Sequence, residues 1–303
     1  MTAPNTKLAI FPASGGLGTA TLQHLFKTHH ANPKDVVLVA RSPERLDSYA
    51  EAGVDVRKAD YDDADTLVRA FDGVKTLNLI SYASIQHEHR FNVHKLAIDA
   101  AIASGVSHVI YSSLGFGGLP SPNTPPTTVA QVMLAHIQTE LYLASLHASN
   151  PSFNYSVIRQ GLYSESFPIY TAVLSLTNPP SSGEILIPHD GSGPGISWAK
   201  RDELGEATAK ILLMAFNDIH DPAFKPFLNT TILLSGPKSY SLAETVSIIG
   251  NIIGKDLKIR QVSVQEYADQ PQVRASLDYG GGEVWPVLWA TAWEGIRRGR
   301  RRM

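Results

Sequence analysis

The chain contains no cysteine among its 303 residues, and this absence removes several kinds of chemistry. Without a thiol the protein has no disulfide, no thiolate nucleophile and no metal site built on sulfur ligands. The eleven histidines are scattered, and the close pairs (His29 with His30, His87 with His89) are more typical of surface or helix positions than of metal ligands. We therefore expect no metal site.

A strong net charge is also missing. The 26 basic residues nearly balance the 28 acidic residues, and the formal net charge is -2. No overall field therefore attracts nucleic acid. The local exception is the C-terminal end, which we interpret as solvated chain because its arginines lack an aromatic platform for nucleic acid. These arginines are Arg297, Arg298, Arg300, Arg301 and Arg302.

Long hydrophobic runs are the third absence. No apolar run approaches the ~18 residues that a membrane-spanning helix requires. The first residues, MTAPNTKLAI, lack the basic and then apolar pattern of a signal peptide. Hydrophobic residues make up 43% of the chain and charged residues 18%, as in globular proteins. We expect a cytoplasmic protein that binds neither membranes nor nucleic acid.

The stretch Lys7–Gly18, KLAIFPASGGLG, is the most informative part of the sequence. Its apolar run Leu8–Phe11 predicts a buried strand, which Pro12 ends. Three glycines then predict a tight turn, and apolar residues at helical spacing predict a helix after it. The glycines are Gly15, Gly16 and Gly18, and the spaced apolar residues are Leu22, Leu25 and Phe26.

This order of strand, glycine turn and helix brings free backbone N–H groups and the positive end of a helix dipole to one point. Such a point suits a phosphate, and glycine lets a pyrophosphate approach the backbone closely. The spacing is that of a G-x-x-G-x-x-G turn with proline in the first position. The predicted cofactor-binding residues of this turn are Pro12, Ser14, Gly15, Gly16, Leu17 and Gly18.

Strands and helices alternate along the first half of the chain, which predicts a parallel sheet covered on both faces. Predicted strands are 8–11, 35–40, 54–57, 76–80, 108–111 and 154–159, and predicted helices include 44–52, 64–71, 87–104 and 128–146. A glycine- and proline-rich loop, 115–126, follows one strand end, where ligands of such sheets bind.

The pattern changes after residue 160. Residues 164–195 mix a short apolar segment with turns, and we expect them to lie over the ligand crevice. Ser241 and Glu244 have the spacing of a helix capping box, whereas Val262–Val264 predicts a short strand. Three tryptophans four residues apart, at 285, 289 and 293, predict one helix face used for core packing or an oligomer contact.

Several motifs together resemble the NmrA-like branch of the atypical short-chain dehydrogenase/reductases, over roughly residues 7–265. They are the turn at 12–18, Val39–Pro43, Ala100–Val106 with Tyr111–Ser113, Ile158–Gly161 and the helix start Arg201–Asp202. The resemblance implies an α/β fold of the Rossmann type, with a doubly wound parallel sheet and a smaller C-terminal substrate-binding α/β region. Residues 1–160 would form the NAD(P)-binding domain, to which helix 202–216 and strand 230–235 return, and residues 161–303 would mainly bind substrate.

Arg41, at the end of the second predicted strand, indicates NADP(H) over NAD(H), because a guanidinium can grip a ribose 2′-phosphate. The resemblance also implies where other residues meet the cofactor. Asp60 and Tyr61 would lie beside the adenine and Ser81 and Tyr82 beside the nicotinamide ribose. Ser112 and Ser113 would approach the nicotinamide, and Gln160, Gly161 and Tyr163 would close the far side of its pocket.

The helix 128–146 lacks the Tyr-x-x-x-Lys pair of short-chain reductases, since Leu146 stands four residues after Tyr142. Relatives often carry a lysine four residues before a glutamate on this helix; here Glu140 fits and His136 replaces the lysine. A histidine is shorter and nearly neutral at pH 7, yet it can act as a general acid or base. The candidate proton donors are His136, Tyr163 and Ser113.

Three functions fit these features. The first is NADPH-dependent reduction of a bulky apolar carbonyl, quinone or imine, for which an apolar segment would supply a small hydrophobic substrate with covered space. The second is a non-redox isomerisation or cyclisation by an enzyme that retains NADP. The third is a non-catalytic redox sensor with a regulatory protein partner; a homodimer also fits. The apolar segment contributes Phe167, Ile169, Tyr170, Leu174 and Leu176.

Overall fold

Seven parallel strands form the central sheet of the computed structural model, which describes residues 6–115, 127–276 and 284–298. The strands are β1 Lys7–Phe11, β2 Val36–Ala40, β3 Asp55–Lys58, β4 Val74–Ile80, β5 His108–Leu114, β6 Asn154–Gln160 and β8 Thr231–Leu234. The sheet order is β3-β2-β1-β4-β5-β6-β8. The chain therefore reverses its direction of winding between β1 and β4, and ligands of open α/β sheets bind at such a switch point.

Helices cover both faces of this sheet. Among the described residues the helices are α1 Gly16–Gln23, α2 Asp47–Glu51, α3 Ala64–Leu67, α4 His87–Ala103, α5 Gln131–Ser149, α6 Phe167–Tyr170, α7 Arg201–Asn217, α8 Leu242–Ile253, α9 Val264–Ala268, α10 Pro271–Arg274 and α11 Trp285–Arg298. Helices α1 and α7 pack together on one face, and α4 and α5 pack together on the other. Strand β2, VVLVA, is buried at every position, as expected when both faces are covered. The predicted α/β, doubly wound sheet is confirmed.

A second, smaller sheet pairs β7, Glu184–Ile187, with β9, Lys258–Gln261, in parallel. It belongs to a separate core that contains the three tryptophans of α11, each at most 6% exposed. The predicted capping box at Ser241 and Glu244 is confirmed. Among the described helices, none is both long and apolar enough to cross a membrane.

The strand predicted at Val262–Val264 is wrong. Ser263 instead caps α9, because its side chain accepts a hydrogen bond from the Glu266 backbone while the Glu266 carboxylate accepts one from the Ser263 backbone. These local bonds favour a helix start over an extended strand. The predicted loop 115–126 lies outside the described residues except for Gly115, as do the arginine side chains of the C-terminal end.

Candidate active site

The glycine turn joins β1 directly to α1, with Gly15 at the N-cap. Gly18 is needed for the close approach of helix and strand: a Cβ there would lie 2.6 Å from the carbonyl oxygens of both Pro12 and Ala13. The first backbone N–H groups of α1 have no partner within the helix. The turn therefore presents hydrogen-bond donors at the carboxyl edge of the sheet.

Gly15 has no structural need to be glycine within the protein itself. Its φ of -82° is open to any residue, and a Cβ would meet no atom within 4 Å. A side chain at this position would fill the space just above the helix N-terminus. The open space above Gly15 thus fits a phosphate group, which needs to approach the backbone closely.

Arg201, the first residue of α7, places its guanidinium against this turn. Its Nη1 is 2.8 Å from the position of a Cβ on Gly16, and the guanidinium lies over the Tyr163 ring at 5.1 Å from the centroid. A second positive group therefore stands beside the helix N-terminus. The sequence pattern had indicated Arg201 only as a helix start.

Arg41 follows β2 at the same edge of the sheet, and its side chain is 70% exposed. Its Nε lies 4.0 Å from Oδ2 of Asp60, which follows β3. Asp60 is held in its own turn, since its Oδ1 accepts a hydrogen bond from the Asp62 backbone N–H. The loose ion pair leaves most of the guanidinium open to a ligand.

The two predicted tyrosines at this edge differ in exposure. Tyr61 is buried, with its ring centroid 4.4 Å from that of Phe11, and its hydroxyl donates to the Ile80 carbonyl at 2.8 Å. Tyr82 is half-buried and donates to the Asp62 carboxylate at 2.7 Å. Burial and the Asp62 carboxylate raise the pKa of Tyr82 to about 12. The Tyr61 ring thus belongs to the core beneath the edge.

A cavity of about 210 Å³ lies beside the turn, at the carboxyl ends of β4, β5 and β6. It brings together several of the predicted residues from distant parts of the chain: Leu17, Ser81, Ser112, Ser113, His136, Gly161 and Tyr163. Ile169 and Tyr170 of the predicted apolar segment and Trp289 of α11 also line it, whereas Leu176 is exposed. Arg41, Asp60, Tyr61 and Tyr82 lie outside it, along the sheet edge.

Arg90 of α4 lines the same cavity and was missed by the sequence analysis. It is only 7% exposed. Its Nε and Nη2 donate to Ser81 Oγ at 3.1 and 2.7 Å, its Nη2 also donates to His136 Nε2 at 2.8 Å, and its Nη1 donates to the Val132 carbonyl at 3.1 Å. The guanidinium is thus fixed between α5 and Ser81, the residue that follows β4.

His136 is held neutral by this arrangement. Burial and then the positive charge of Arg90 hold the pKa of His136 well below its usual value. Since Nε2 accepts from Arg90, the ring proton is assigned to Nδ1, which then donates to the Tyr111 hydroxyl at 2.9 Å. Both ring nitrogens are therefore engaged inside the protein.

Ser113 is tied to a buried ion pair behind the cavity. Its hydroxyl donates to Glu140 Oε1 at 2.5 Å, and Arg159 donates to both oxygens of that carboxylate at 3.0 and 2.7 Å. Arg159 and Glu140 are 1% and 5% exposed. Gln160 is likewise buried and turned to Thr208, with Nε2 to Oγ1 at 3.2 Å, while its Oε1 has no donor among the described residues.

Tyr163 is the remaining candidate proton donor. Its ring lines the cavity, and within the described part of the chain its hydroxyl has no hydrogen-bond partner. Burial raises the pKa of Tyr163 to about 12. The phenol therefore keeps its proton throughout the neutral range and can give it to a stronger base in the cavity.

A model of the NmrA-like family matches residues 4–278. The chain belongs to the NmrA-like family. Among its relatives, an NmrA-like family domain-containing oxidoreductase of Aspergillus flavus is 29% identical over 264 residues, which cover 85% of this chain and 75% of the relative. Quinone oxidoreductase 2 of Escherichia coli is 28% identical over 262 residues, covering 86% of this chain and 79% of the relative.

Two solved structures of NADP(H)-bound reductases have the same fold. An NADPH-dependent quinone oxidoreductase of Escherichia coli, complexed with NADPH, has a TM-score of 0.72 at 25% identity, covering 96% of this chain and 89% of its own. The triphenylmethane reductase of Citrobacter sp., complexed with NADP(H), has a TM-score of 0.70 at 24% identity, covering 97% and 90%. The family and fold predicted from the sequence are confirmed.

Proposed function

We propose that this NmrA-like protein is an NADPH-dependent oxidoreductase whose small-molecule substrate is a bulky, apolar carbonyl, quinone or imine. The observation that carries the proposal is that one cavity is lined by Leu17 of the glycine turn, by the serines at the strand ends and by Tyr163. A cofactor seated on the turn and a substrate in the cavity would then meet in one place. The relatives named above, a quinone oxidoreductase among them, support this function.

The residues present fit NADP(H). The amides after Gly15 and the Arg201 guanidinium would hold the pyrophosphate, and Arg41 would hold the 2′-phosphate. Ser81, Ser112 and Gly161 would border the nicotinamide end. When bound, NADPH supplies a hydride. In this proposal, residues 1–160 together with α7 and β8 mainly bind the cofactor, and the rest of residues 161–303 mainly bind the substrate.

Residues of the cavity would hold the acceptor and supply the proton that it takes up on reduction. Trp289, Tyr170 and Ile169 line the cavity with apolar surface, against which a hydrophobic acceptor can pack. Among the predicted proton donors, Ser113 is bound to Glu140 and His136 to Arg90 and Tyr111, whereas no described residue binds the Tyr163 hydroxyl. We therefore assign proton donation to Tyr163.

Purified protein with NADPH and a panel of quinones, ketones and imines tests the proposed function. We expect NADPH consumption with at least one apolar acceptor and none without it. Conversion of a panel member without NADPH loss would favour the non-redox function. Tight binding of both cofactor forms with no conversion, together with a protein partner, would favour the sensor.

Tyr163→Phe is expected to lower kcat for a ketone by roughly 100-fold, because general acid catalysis typically contributes at least that factor. NADPH affinity should stay within about threefold of the unchanged protein, since the ring that packs against Arg201 is retained. Steady-state kinetics and a fluorescence titration measure the two effects. An unchanged kcat would remove Tyr163 from the reaction.

A further inference from the structure

Arg90 is a buried cation to which the described part of the chain supplies no anionic partner. Among the described residues it forms no ion pair, and a guanidinium stays protonated in proteins. The carboxylate of Glu140 is buried behind the cavity, but Arg159 already binds both of its oxygens. Within residues 6–115, 127–276 and 284–298, no negative charge compensates the Arg90 guanidinium at the cavity wall.

The surroundings of the guanidinium reinforce this charge. The described residues that line the cavity include no aspartate or glutamate, and His136, which contacts Arg90, is neutral. Of the lining residues that the structure describes, Arg90 alone carries a charge. The cavity thus presents a fixed positive potential in apolar surroundings, where electrostatic interactions are strong.

A count of donors shows that Arg90 has capacity left. A guanidinium carries five N–H groups. Four are used: one from Nε and one from Nη2 to Ser81, one from Nη2 to His136, and one from Nη1 to the Val132 carbonyl. One Nη1 N–H has no acceptor among the described residues, so a ligand oxygen in the cavity can take it.

We propose that Arg90 makes the cavity select neutral acceptors whose oxygen gains negative charge on reduction, such as quinones and activated ketones, over cationic iminium or triarylmethyl acceptors. This inference rests on the proposed function and narrows its substrate class. It assigns to Arg90 a role in specificity that the motifs of the sequence did not indicate.

The charge balance of the reaction explains the selection. When hydride adds to the carbon framework of a quinone or ketone, the C=O π pair moves to oxygen and leaves an oxyanion. The Arg90 guanidinium stabilises this negative charge as it develops, and the oxyanion then takes a proton from the Tyr163 hydroxyl. NADPH is oxidised to NADP⁺. The acceptor gains one hydride, which carries two electrons and one proton, and then one further proton. A cationic acceptor becomes neutral on hydride addition, so the guanidinium only repels it before the reaction.

Kinetics with Arg90→Met test the selection, with Arg90→Lys as the charge-retaining control. For Arg90→Met we expect kcat/KM for a neutral quinone to fall about 100-fold, as when one oxyanion-stabilising donor is lost. In Arg90→Met, kcat/KM for a cationic triarylmethane dye should stay the same or rise. Arg90→Lys should retain the preference for the quinone over the dye. An unchanged ratio of the two values in Arg90→Met would overturn the proposal.

Ligand binding to the unchanged protein gives a test that needs neither catalysis nor a stable variant. The probes are 2-naphthoate and its neutral isostere 2-naphthamide, titrated by calorimetry with and without NADP⁺. We expect the anion to bind at least about tenfold more tightly than the amide, as a charge-assisted hydrogen bond adds to affinity. Equal binding, or tighter binding of the amide, would overturn the Arg90 proposal even if the protein oxidises NADPH. Preference for the anion in a protein that never oxidises NADPH would refute the oxidoreductase function alone.

Discussion

Arg41→Asp is expected to weaken NADPH binding by at least about 100-fold, because it replaces charge-assisted hydrogen bonds to the 2′-phosphate with repulsion between like charges. NADH affinity should change by less than about threefold, since NADH has a ribose hydroxyl at that position. The high exposure of Arg41 makes a folding defect unexpected. Parallel fluorescence titrations with the two cofactors measure the effect.

Arg201→Ala provides the matched control. Arg201 lies at the glycine turn, where both cofactors carry the same pyrophosphate, and we expect NADPH and NADH to weaken by the same factor. The two arginines thus separate recognition of the 2′-phosphate from recognition of the pyrophosphate. If Arg41→Asp weakened NADPH and NADH alike, the assignment of the 2′-phosphate to Arg41 would be wrong.

Arg159→Met is expected to have the largest effect on stability, a loss of about 3–5 kcal/mol, because it leaves the buried Glu140 carboxylate without its cation. Glu140 is 5% exposed, and two N–H groups of Arg159 would be missing. Urea unfolding followed by circular dichroism measures the free energy of unfolding.

Lys95→Ala is the control for this loss. Lys95 forms an ion pair with Asp99 on α4 in which both side chains are at least 40% exposed. Exposed pairs typically contribute no more than about 1 kcal/mol. Similar losses for Arg159→Met and Lys95→Ala would show that burial of the Arg159–Glu140 pair contributes little to the fold.

The strands and the glycine turn were predictable because their signals are local. Strands buried on both faces read as continuous apolar runs, as in Val36–Ala40, and the turn carries Gly18, whose close contacts with Pro12 and Ala13 lie within a few residues. The resemblance to the family predicted that Ser81, Ser112 and Ser113 lie near the nicotinamide end, and all three line the cavity. Parallel strands bring their carboxyl ends to one edge, whatever the tertiary detail.

The polar interior of the site was not predictable, because it depends on contacts between distant elements. Arg90 lies in the polar stretch HEHRFNVHK, which is typical of a solvated helix face, yet α5 and β4 enclose it. His136 was expected to compete as a proton donor, but only the fold brings Arg90 and Tyr111 to its two nitrogens. Val262 and Val264 favoured a strand by their β-branched side chains, and the capping bonds of Ser263 prevailed.

Calorimetric titration of the purified protein with NADPH at low salt tests the central claim most directly. That claim is that the turn after Pro12, with Arg41 and Arg201, binds NADP(H). We expect saturable one-to-one binding with a Kd in the micromolar range, about -8 kcal/mol of binding free energy. No binding heat and no fluorescence change at millimolar NADPH would contradict the cofactor site and, with it, the proposed reaction.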